Sequence, residues 1–290
     1  MKKLSFFILI ISILLCGCSP KAEFDVVATT LPVYDFTSKL CDGTKLAVGR
    51  LVTESVSCLH DYTLQVSQMR MIESADVVVI SGAGLEEFLD DALHNSQSVI
   101  DASSGTHIHS GEHHHDKHHE QEHSHENDPH IWLSPKNAII MATNICHGLE
   151  RMYPEYEDTF HSNLAALLVQ LDELQKYGNT QLSDLTCRKL ITFHDGFAYL
   201  AESFDLTILE AIEEESGSEA SAAEIIHLVE LVNSHELPAV FIEQSGSDAC
   251  AGIINTETGV EIFTLDMAMA GDSYFDAMYH NIDALKEALG

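Results

Sequence analysis

The chain of 290 residues carries a formal net charge of −32, because 46 acidic residues stand against 14 lysines and arginines. Hydrophobic residues make up 45% of the chain, which is enough to form a core and excludes a disordered polyelectrolyte. So strong a negative charge repels nucleic acid and anionic lipid, and we expect neither to bind its surface. The charge favours a cation as partner, and the 18 histidines point the same way.

Residues 1–17 have the layout of a secretory signal, with two lysines before an apolar run from Leu4 to Leu15 that is too short to span a bilayer. The run leads into Gly17 and Cys18, a pattern similar to a bacterial lipobox, so Cys18 is the expected lipidated first residue of the mature protein. Cleavage would remove two lysines and no acid, leaving a charge near −34. We therefore expect an exported protein, held to the bacterial cell membrane by a lipid anchor only and facing the periplasm or the cell exterior.

The mature chain has five further cysteines and no CxxC pair, so a cysteine-based zinc finger is not expected. Exported proteins form disulfides, but an odd number leaves at least one thiol over, and spacing alone does not decide the pairing. The five are Cys41, Cys58, Cys146, Cys187 and Cys250.

Strands and helices alternate along the chain, in the pattern of parallel α/β sheets. In the first half the predicted strands are Phe24–Thr30, Leu46–Val52, Ala75–Gly82 and Ser98–Asp101, and the predicted helices are Val33–Leu40, Gln65–Ser74 and Leu85–Leu93. The pattern repeats near the end, with strands Leu190–Phe193, Leu206–Ala211, Ala239–Glu243 and Glu261–Leu265, and helices Gly196–Ser203, Ala222–Asn233, Ala249–Asn255 and Tyr274–Leu289.

Two helices separate these halves. The first runs over Asn137–Met152, after a proline at its start, and the second begins at Pro154 with apolar residues about one turn apart. We predict an α/β fold of two lobes with parallel sheets, joined by a long rigid backbone helix, with the metal site in the cleft between the lobes. The predicted divisions are an N-terminal lobe over 24–153, which contains a His-rich loop at 104–126, a connecting helix over 154–183, and a C-terminal lobe over 186–290.

Four candidate metal ligands follow predicted strands or lie in loops of this cleft. His60 follows the second strand, His130 comes just after the His-rich loop, and His194 and Asp266 stand at the ends of two later strands. Ligands bind outside the carboxyl ends of the strands in open α/β sheets. Imidazole nitrogens with one carboxylate suit a tetrahedral Zn²⁺ site.

The His-rich loop holds nine histidines, several acids and almost no apolar residue. Tracts of this kind bind metal, and we expect many weak, exchanging sites that raise the zinc occupancy near the cleft; a polyhistidine linker without a role is the alternative. The nine are His107, His109, His113, His114, His115, His118, His119, His123 and His125.

Three motifs resemble those of the zinc solute-binding lipoproteins of bacterial ABC importers (cluster A-I, the ZnuA/TroA-like family). They are His60-Asp61-Tyr62, the run Asp128–Pro135 with its sequence Asp-Pro-His-Ile-Trp-Leu-Ser-Pro, and the run Thr192–Tyr199 with its Phe-His-Asp. The resemblance covers essentially the whole mature chain. It implies two α/β lobes around a rigid helix, zinc capture in the cleft, handover to a membrane-embedded ABC permease, and no catalysis. We expect a monomer.

The chain departs from the usual pattern of this family around two of the four candidates. It lacks the Gly and Pro before His60, and it has Leu64 and Met267 where prolines are frequent, which leaves the backbone near His60 and Asp266 less restrained. Cys58 could compete as a thiolate ligand, although a buried or disulfide-bonded cysteine is the simpler interpretation.

Several alternatives stay open at this point. A manganese or iron receptor is the nearest, but manganese members tend to have a glutamate in place of His194, and nitrogen there favours zinc. A zinc hydrolase lacks support, since there is no His-Glu-x-x-His motif and four protein ligands would leave no position for water. A second role as a surface adhesin is a further alternative. Glu243 either accepts a hydrogen bond from a ligating imidazole or is a solvated acid. Glu210 stands near the end of its predicted strand, and the acidic run from Glu210 to Glu215 is expected to be a solvated loop and not a metal site.

Overall fold

The computed structural model describes residues 23–54, 59, 62–93, 98–109, 127–212, 221–244 and 249–290, apart from the side chain of Asp91. Several sequence predictions lie outside these residues. They include the signal segment with Cys18, the candidate ligand His60, and the seven loop histidines from His113 to His125.

The N-terminal lobe contains a parallel sheet of four strands in the order β2-β1-β3-β4. Valine and isoleucine fill its central strands, which are buried on both faces, as expected for a parallel sheet covered by helices. Its strands are β1 (Val26–Ala28), β2 (Val48–Arg50), β3 (Val77–Ile80) and β4 (Ser98–Asp101), and its helices are α1 (Leu31–Leu40), α2 (Val66–Ser74), α3 (Asp90–Leu93) and α4 (Pro135–Met152).

The C-terminal lobe repeats this arrangement with the strand order β6-β5-β7-β8, again all parallel. Each lobe therefore places its first strand between its second and third. The strands are β5 (Lys189–Thr192), β6 (Thr207–Ala211), β7 (Ala239–Glu243) and β8 (Glu261–Leu265). The helices are α6 (Ala198–Ser203), α7 (Ala222–His235), α8 (Ala249–Thr258) and α9 (Tyr274–Leu289).

The long helix between the lobes is α5, of 25 residues from Glu157 to Gln181, preceded by a short 3₁₀ turn at Pro154–Tyr156. Its buried side chains recur every three or four residues along one stripe, as the sequence pattern predicts. These include Phe160, Leu164, Leu167, Leu171 and Leu174. The two parallel lobes and the long helix confirm the predicted fold class.

One predicted helix is largely wrong. The segment Leu85–Leu93 is a 3₁₀ turn at Glu87–Leu89 followed by only one turn of α-helix. The cause lies just before it, where Gly82, Ala83 and Gly84 all have positive φ and the chain cannot yet be helical. The predicted strand Phe24–Thr30 is likewise shorter in the structure, at Val26–Ala28, and Thr30 is instead the N-cap of α1.

A single hydrophobic core runs through both lobes and along α5, with a smaller cluster on the outer face of each sheet. Trp132 lies in this core fully buried. Its indole N–H donates to the carbonyl of Met267 at 2.8 Å, and its own carbonyl accepts from the Tyr274 hydroxyl at 2.9 Å. Arg50 of the N-terminal lobe also donates to two carbonyls of the C-terminal lobe, those of Met269 and Gly271. The lobes are therefore packed together as one body.

Within the described residues no helix has the length and apolar character needed to cross a membrane. The four cysteines that the structure describes are free thiols: Cys41, Cys146, Cys187 and Cys250. Cys58 lies outside the described residues, as does its predicted competition with His60.

Candidate metal centre

His130 and His194 meet where the two lobes face each other. His194 follows β5 by two residues in extended backbone and precedes a 3₁₀ turn at Asp195–Phe197. His130 immediately precedes the buried 3₁₀ turn Ile131–Leu133 and is itself only 6% exposed. The two imidazole rings lie 5.3 Å apart between centroids and are nearly perpendicular, at 82°. The predicted pairing of one histidine from each half of the chain is therefore present in the fold.

Asp128 fixes the orientation of His130. One carboxylate oxygen, Oδ1, accepts from the backbone N–H of His130 at 2.9 Å and lies 2.8 Å from Nδ1 of its ring. The carbonyl of Asp128 accepts from the Tyr199 hydroxyl at 2.7 Å, so the aspartate is itself held by the C-terminal lobe. An imidazole held at Nδ1 by a carboxylate directs Nε2 towards a ligand.

Gly196 allows the two lobes to come close at this point. A Cβ atom on Gly196 would lie 2.8 Å from Nδ1 of His130 and 2.5 Å from Cε of Met267. Real Cβ atoms do not approach neighbours so closely, so a larger residue would push His130 or Met267 aside. The absence of a side chain at Gly196, in the Phe-His-Asp-Gly run, therefore allows His130 and Met267 to occupy their positions at the site.

Two carboxyl groups lie at the ends of neighbouring strands, and one of them is beside the His194 ring. Glu243 is the last residue of β7 and pairs in register with Leu265, the last of β8, so Asp266 follows at the same edge. Glu243 is 5% exposed, and its Oε2 lies 3.8 Å from Nδ1 of His194. Of the two interpretations left open for Glu243, the solvated acid is wrong.

Asp266 is held by its own loop and by α9. Its backbone N–H donates to Asn281 Oδ1 and its carbonyl accepts from Asn281 Nδ2, both at 2.7 Å. Its Oδ1 accepts from the backbone N–H of Ala268 at 2.7 Å, and Ala268 takes the left-handed conformation with φ 56°. A non-glycine residue in that region has a higher backbone energy, and the surrounding contacts must compensate for it.

Burial raises the pKa of both carboxyl groups, and the Asp266 carboxylate adds to the shift of Glu243. Burial raises the pKa of Glu243 to about 7; the His130 ring lowers it and the Asp266 carboxylate raises it. The pKa of Asp266 is also raised, chiefly by burial, against the hydrogen bond from Ala268 and the nearby His280. A cation placed among these groups would favour the ionised form of both.

His60 lies outside the described residues, so its predicted place at this centre stays a prediction. Its described flanks lie in the N-terminal lobe, where the Tyr62 N–H donates to the Leu59 carbonyl at 3.1 Å. The Tyr62 hydroxyl in turn contacts Glu54 and Gln68. These contacts anchor the two ends of the segment that carries His60.

The remaining candidates lie away from this centre. Glu210 lies near the end of β6 and is exposed, as expected, and its Oε2 lies 3.7 Å from Nε2 of His227. His107 and His109 lie on the described segment that leads into the His-rich loop, near Glu202 of α6. Sequence reasoning missed the roles of Asp128 and Gly196, although both stand inside motifs that it singled out. It also missed Asn281, a buried polar residue in the middle of α9 that has no local sequence signal.

Residues 26–288 match the family of ZnuA, described as zinc-uptake complex component A, periplasmic. The chain belongs to the ZnuA family. The resemblance seen in the three sequence motifs is thereby confirmed.

Individual members of the family are similar to this chain in sequence and in structure. The zinc-binding lipoprotein AdcA of Streptococcus pneumoniae strain R6 is 30% identical over 99% of the chain, and the chain spans 61% of the length of AdcA. A crystal structure of ZnuA superposes with a TM-score of 0.79 at 26% identity, covering 92% of this chain and 99% of that one. The Zn(II)-bound ZnuA-like domain of S. pneumoniae AdcA gives a TM-score of 0.76 at 27% identity, with 92% and 98% covered.

Proposed function

We propose that the protein is a high-affinity extracytoplasmic zinc receptor, which captures Zn²⁺ in the cleft and delivers it to a cognate ABC permease. The observation that carries this proposal is the pairing of His130 and His194 from the two lobes of a ZnuA-family chain, beside the buried Glu243 carboxyl group. Asp266 follows the neighbouring strand at the same sheet edge. Two imidazoles with a carboxylate match the ligand preference of zinc. The zinc-binding relatives named above support the same metal.

His60, His130, His194 and Asp266 are the proposed ligands. His130 would bind through Nε2, since Asp128 engages Nδ1. Glu243 would act from behind His194 and orient its ring, as carboxylates next to metal-bound histidines commonly do. The His-rich loop would supply weaker sites that feed the cleft.

The charges of the cleft support capture of a cation. Two carboxyl groups with raised pKa values lie close together there, and no lysine or arginine contributes to either shift. A divalent ion would relieve the repulsion between them. Because imidazole must be neutral to bind a metal, the affinity should fall as the pH drops towards about 6.

The remaining parts of the proposal concern location and assembly. Residues 1–17 would be removed, and Cys18 would carry the lipid that tethers the protein outside the cytoplasm, as the name of the lipoprotein AdcA suggests. The chain would then work as a monomer, with lobes over 24–153 and 186–290 around the helix over 154–183, and without enzymatic activity.

Manganese or iron is the alternative cargo, and a zinc hydrolase the more distant function. The metal present after native purification decides between the first two. Zinc at one or more ions per chain supports the proposal, and manganese or iron in its place would refute the choice of metal. A hydrolase would require an exchangeable water on the ion, which four protein ligands would exclude.

The test of the cleft site is a titration of zinc against a competing chelator in single-residue variants of the mature protein. His130→Ala and His194→Ala should each weaken the tight site by at least about 100-fold, and Glu243→Gln by roughly 10–100-fold. His118→Ala is the matched control and should leave the tight site unchanged. Equal small losses in all four variants would contradict the assignment.

A deletion separates the cleft from the loop. Removing residues 111–125 takes out seven loop histidines and keeps the packed segment that holds His107 and His109. The deleted protein should retain one tightly bound zinc. Loss of all high-affinity binding would place the principal site in the loop and refute the cleft model.

A further inference from the structure

A second group of metal-binding side chains lies at the base of the His-rich loop. Nε2 of His109 lies 3.0 Å from Oε2 of Glu202, and Nε2 of His107 lies 3.5 Å from the same oxygen. One nitrogen or oxygen from each residue falls within 4.8 Å of the others, which is the spacing a shared ion requires. Among the described residues this is the group of three that meets that condition.

The backbone of both histidines is fixed. His107 forms a pair of hydrogen bonds with the side chain of Asn137 on α4, its N–H donating to Oδ1 and its carbonyl accepting from Nδ2, both at 2.9 Å. The N–H of His109 donates to the Tyr199 hydroxyl at 3.0 Å, and its carbonyl accepts from the N–H of Asp128, also at 3.0 Å. These two histidines are therefore anchored to the folded body on both sides.

The side chains are held as well as the backbone. The His109 ring packs on the Tyr199 ring with centroids 4.5 Å apart. The His107 ring contacts the His109 ring edge-on, with centroids 5.0 Å apart. Nε2 of His109 is buried, and it makes no aligned hydrogen bond with the described residues even though the Glu202 carboxylate is close by. A buried nitrogen that faces a carboxylate without a hydrogen bond is placed as a metal ligand would be.

We propose that His107, His109 and Glu202 form a second zinc site that is distinct from the cleft centre and from the weak sites of the loop. Two imidazole nitrogens and one carboxylate oxygen select a borderline divalent ion such as Zn²⁺. With three protein ligands, the site leaves a position for water or for a passing loop histidine. His107 and Glu202 are 62% and 57% exposed, so an ion can reach the site from solvent.

The site bridges the lobes. His107 and His109 extend from the N-terminal lobe, whereas Glu202 lies on α6 of the C-terminal lobe. It is also joined to the cleft, because Asp128 accepts from Tyr199, donates to the His109 carbonyl and holds His130 through its carboxylate. Asp128 alone would thus separate an ion at the base of the loop from the proposed cleft ligand His130. Zinc collected by the loop would be held there, close to the cleft.

The preformed geometry separates these two histidines from the other seven. A loop histidine must be ordered before it binds, whereas His107 and His109 are already in place, so the second site should bind more tightly than any loop site. The test uses the full mature chain in which seven histidines are replaced by alanine: His113, His114, His115, His118, His119, His123 and His125. Zinc titration of this variant should find two ions.

Further substitutions in that variant identify each ion. Adding Glu202→Gln or His109→Ala should weaken the second ion by tenfold or more and keep the first, whereas His130→Ala should remove the first and keep the second. Glu230→Gln, at an exposed glutamate on α7, is the control and should keep both ions at full affinity. Thermal unfolding of the zinc-free proteins checks that each variant is folded.

Two results would overturn the second site. One is a single ion in the seven-alanine variant that His130→Ala abolishes, and the other is a second ion that survives Glu202→Gln and His109→Ala alike. Failure of the cleft proposal has a different signature, since His130→Ala would then change neither ion.

Discussion

Gly196 controls how closely His130 can approach the C-terminal lobe. Gly196→Ala would place a methyl group 2.8 Å from the His130 ring, and we expect the ring to shift and zinc affinity to fall by roughly tenfold or more, as for other residues that position a ligand. The protein should still fold, since the methyl group meets side chains and not backbone. The measurement is zinc affinity by competition together with thermal unfolding.

Gly252 offers the matched control for this substitution. It lies in α8, and a Cβ atom there would meet nothing within 4 Å. Gly252→Ala should leave zinc affinity unchanged and stabilise the protein by up to about 1 kcal/mol, through helix propensity. If both alanine variants bound zinc like the unaltered protein, close packing at Gly196 would have no bearing on the site.

Glu86 makes a second residue-scale prediction, which concerns pH. It is buried, with 5% of its surface exposed. Its Oε1 accepts from the Thr29 hydroxyl and the Ser81 N–H, and its Oε2 accepts from the Gly82 N–H. Burial raises its pKa to about 7 in spite of these bonds, from the ordinary glutamate value of 4.5. The folded state therefore binds the proton more strongly than the unfolded chain, and the stability of the fold falls as the pH rises between these two values, by about 3 kcal/mol in all.

The check is denaturant unfolding of zinc-free protein at about pH 5 and about pH 7.5. The unaltered protein should lose more free energy of unfolding over this interval than Glu86→Gln, whose side chain does not titrate. Glu87→Gln, at the exposed neighbouring residue, should lose as much as the unaltered protein. An equal loss in Glu86→Gln would show that Glu86 is ionised throughout.

At the scale of elements, α5 stabilises both lobes together because its apolar stripe belongs to the common core. Leu171 is fully buried in the middle of that stripe, whereas Val169, on the same helix, is 57% exposed. Leu171→Ala should cost about 2–5 kcal/mol of unfolding free energy, through lost burial and the cavity left behind. Val169→Ala should change the stability by less than about 0.5 kcal/mol.

The course of unfolding adds a second readout for Leu171→Ala. With one core, both lobes should unfold in a single transition, and the variant should shift the midpoint without splitting it. Two separate transitions, one for each lobe, would mean that α5 links two independent units.

Most helices and strands could be predicted from the sequence, because their apolar residues follow the spacing of a helix or of a buried strand. Runs such as Val77–Ile80 are too apolar and β-branched to be anything but buried strands, and the apolar spacing of α5 fits only a helix. The segment before α3 was misread, because its conformation is set by positive φ angles and by the buried Glu86 carboxylate rather than by periodicity.

Residues of the candidate site could be predicted from the sequence only where they follow a strand or a clear change in composition. His194 and Asp266 follow predicted strands, and His130 follows the end of the His-rich loop. These positions are visible in the sequence, so all three could be selected as candidates without the structure. Glu202 is different, since it is an exposed glutamate on a short helix and is recognisable only once the fold sets it against His107 and His109. Contacts between lobes depend on how the lobes dock, which no local pattern encodes.

On the scale of the whole molecule, we predict that zinc binding changes the overall dimensions little. The lobes share one core, Trp132 bonds to Met267, and Arg50 bonds to two carbonyls of the opposite lobe. A wide hinge closure would have to break these contacts. Changes should be confined to the loops near His60 and Asp266, where the restraining prolines are missing.

Small-angle scattering of the zinc-free and zinc-loaded protein measures this directly. The radius of gyration should agree within error between the two states, while zinc raises the unfolding temperature by binding the folded state alone. A decrease of several ångströms on adding zinc would mean large lobe closure, and the rigid role of α5 would be wrong.

Trp132 gives the molecule a built-in optical reporter. It is the single tryptophan of the chain, it is fully buried, and its ring lies 5.4 Å from that of His130. All indole emission therefore arises from one spot between the lobes, next to a proposed zinc ligand. An unlabelled sample should report events at the cleft through its emission intensity, and it should stay nearly silent when an ion binds far out in the His-rich loop.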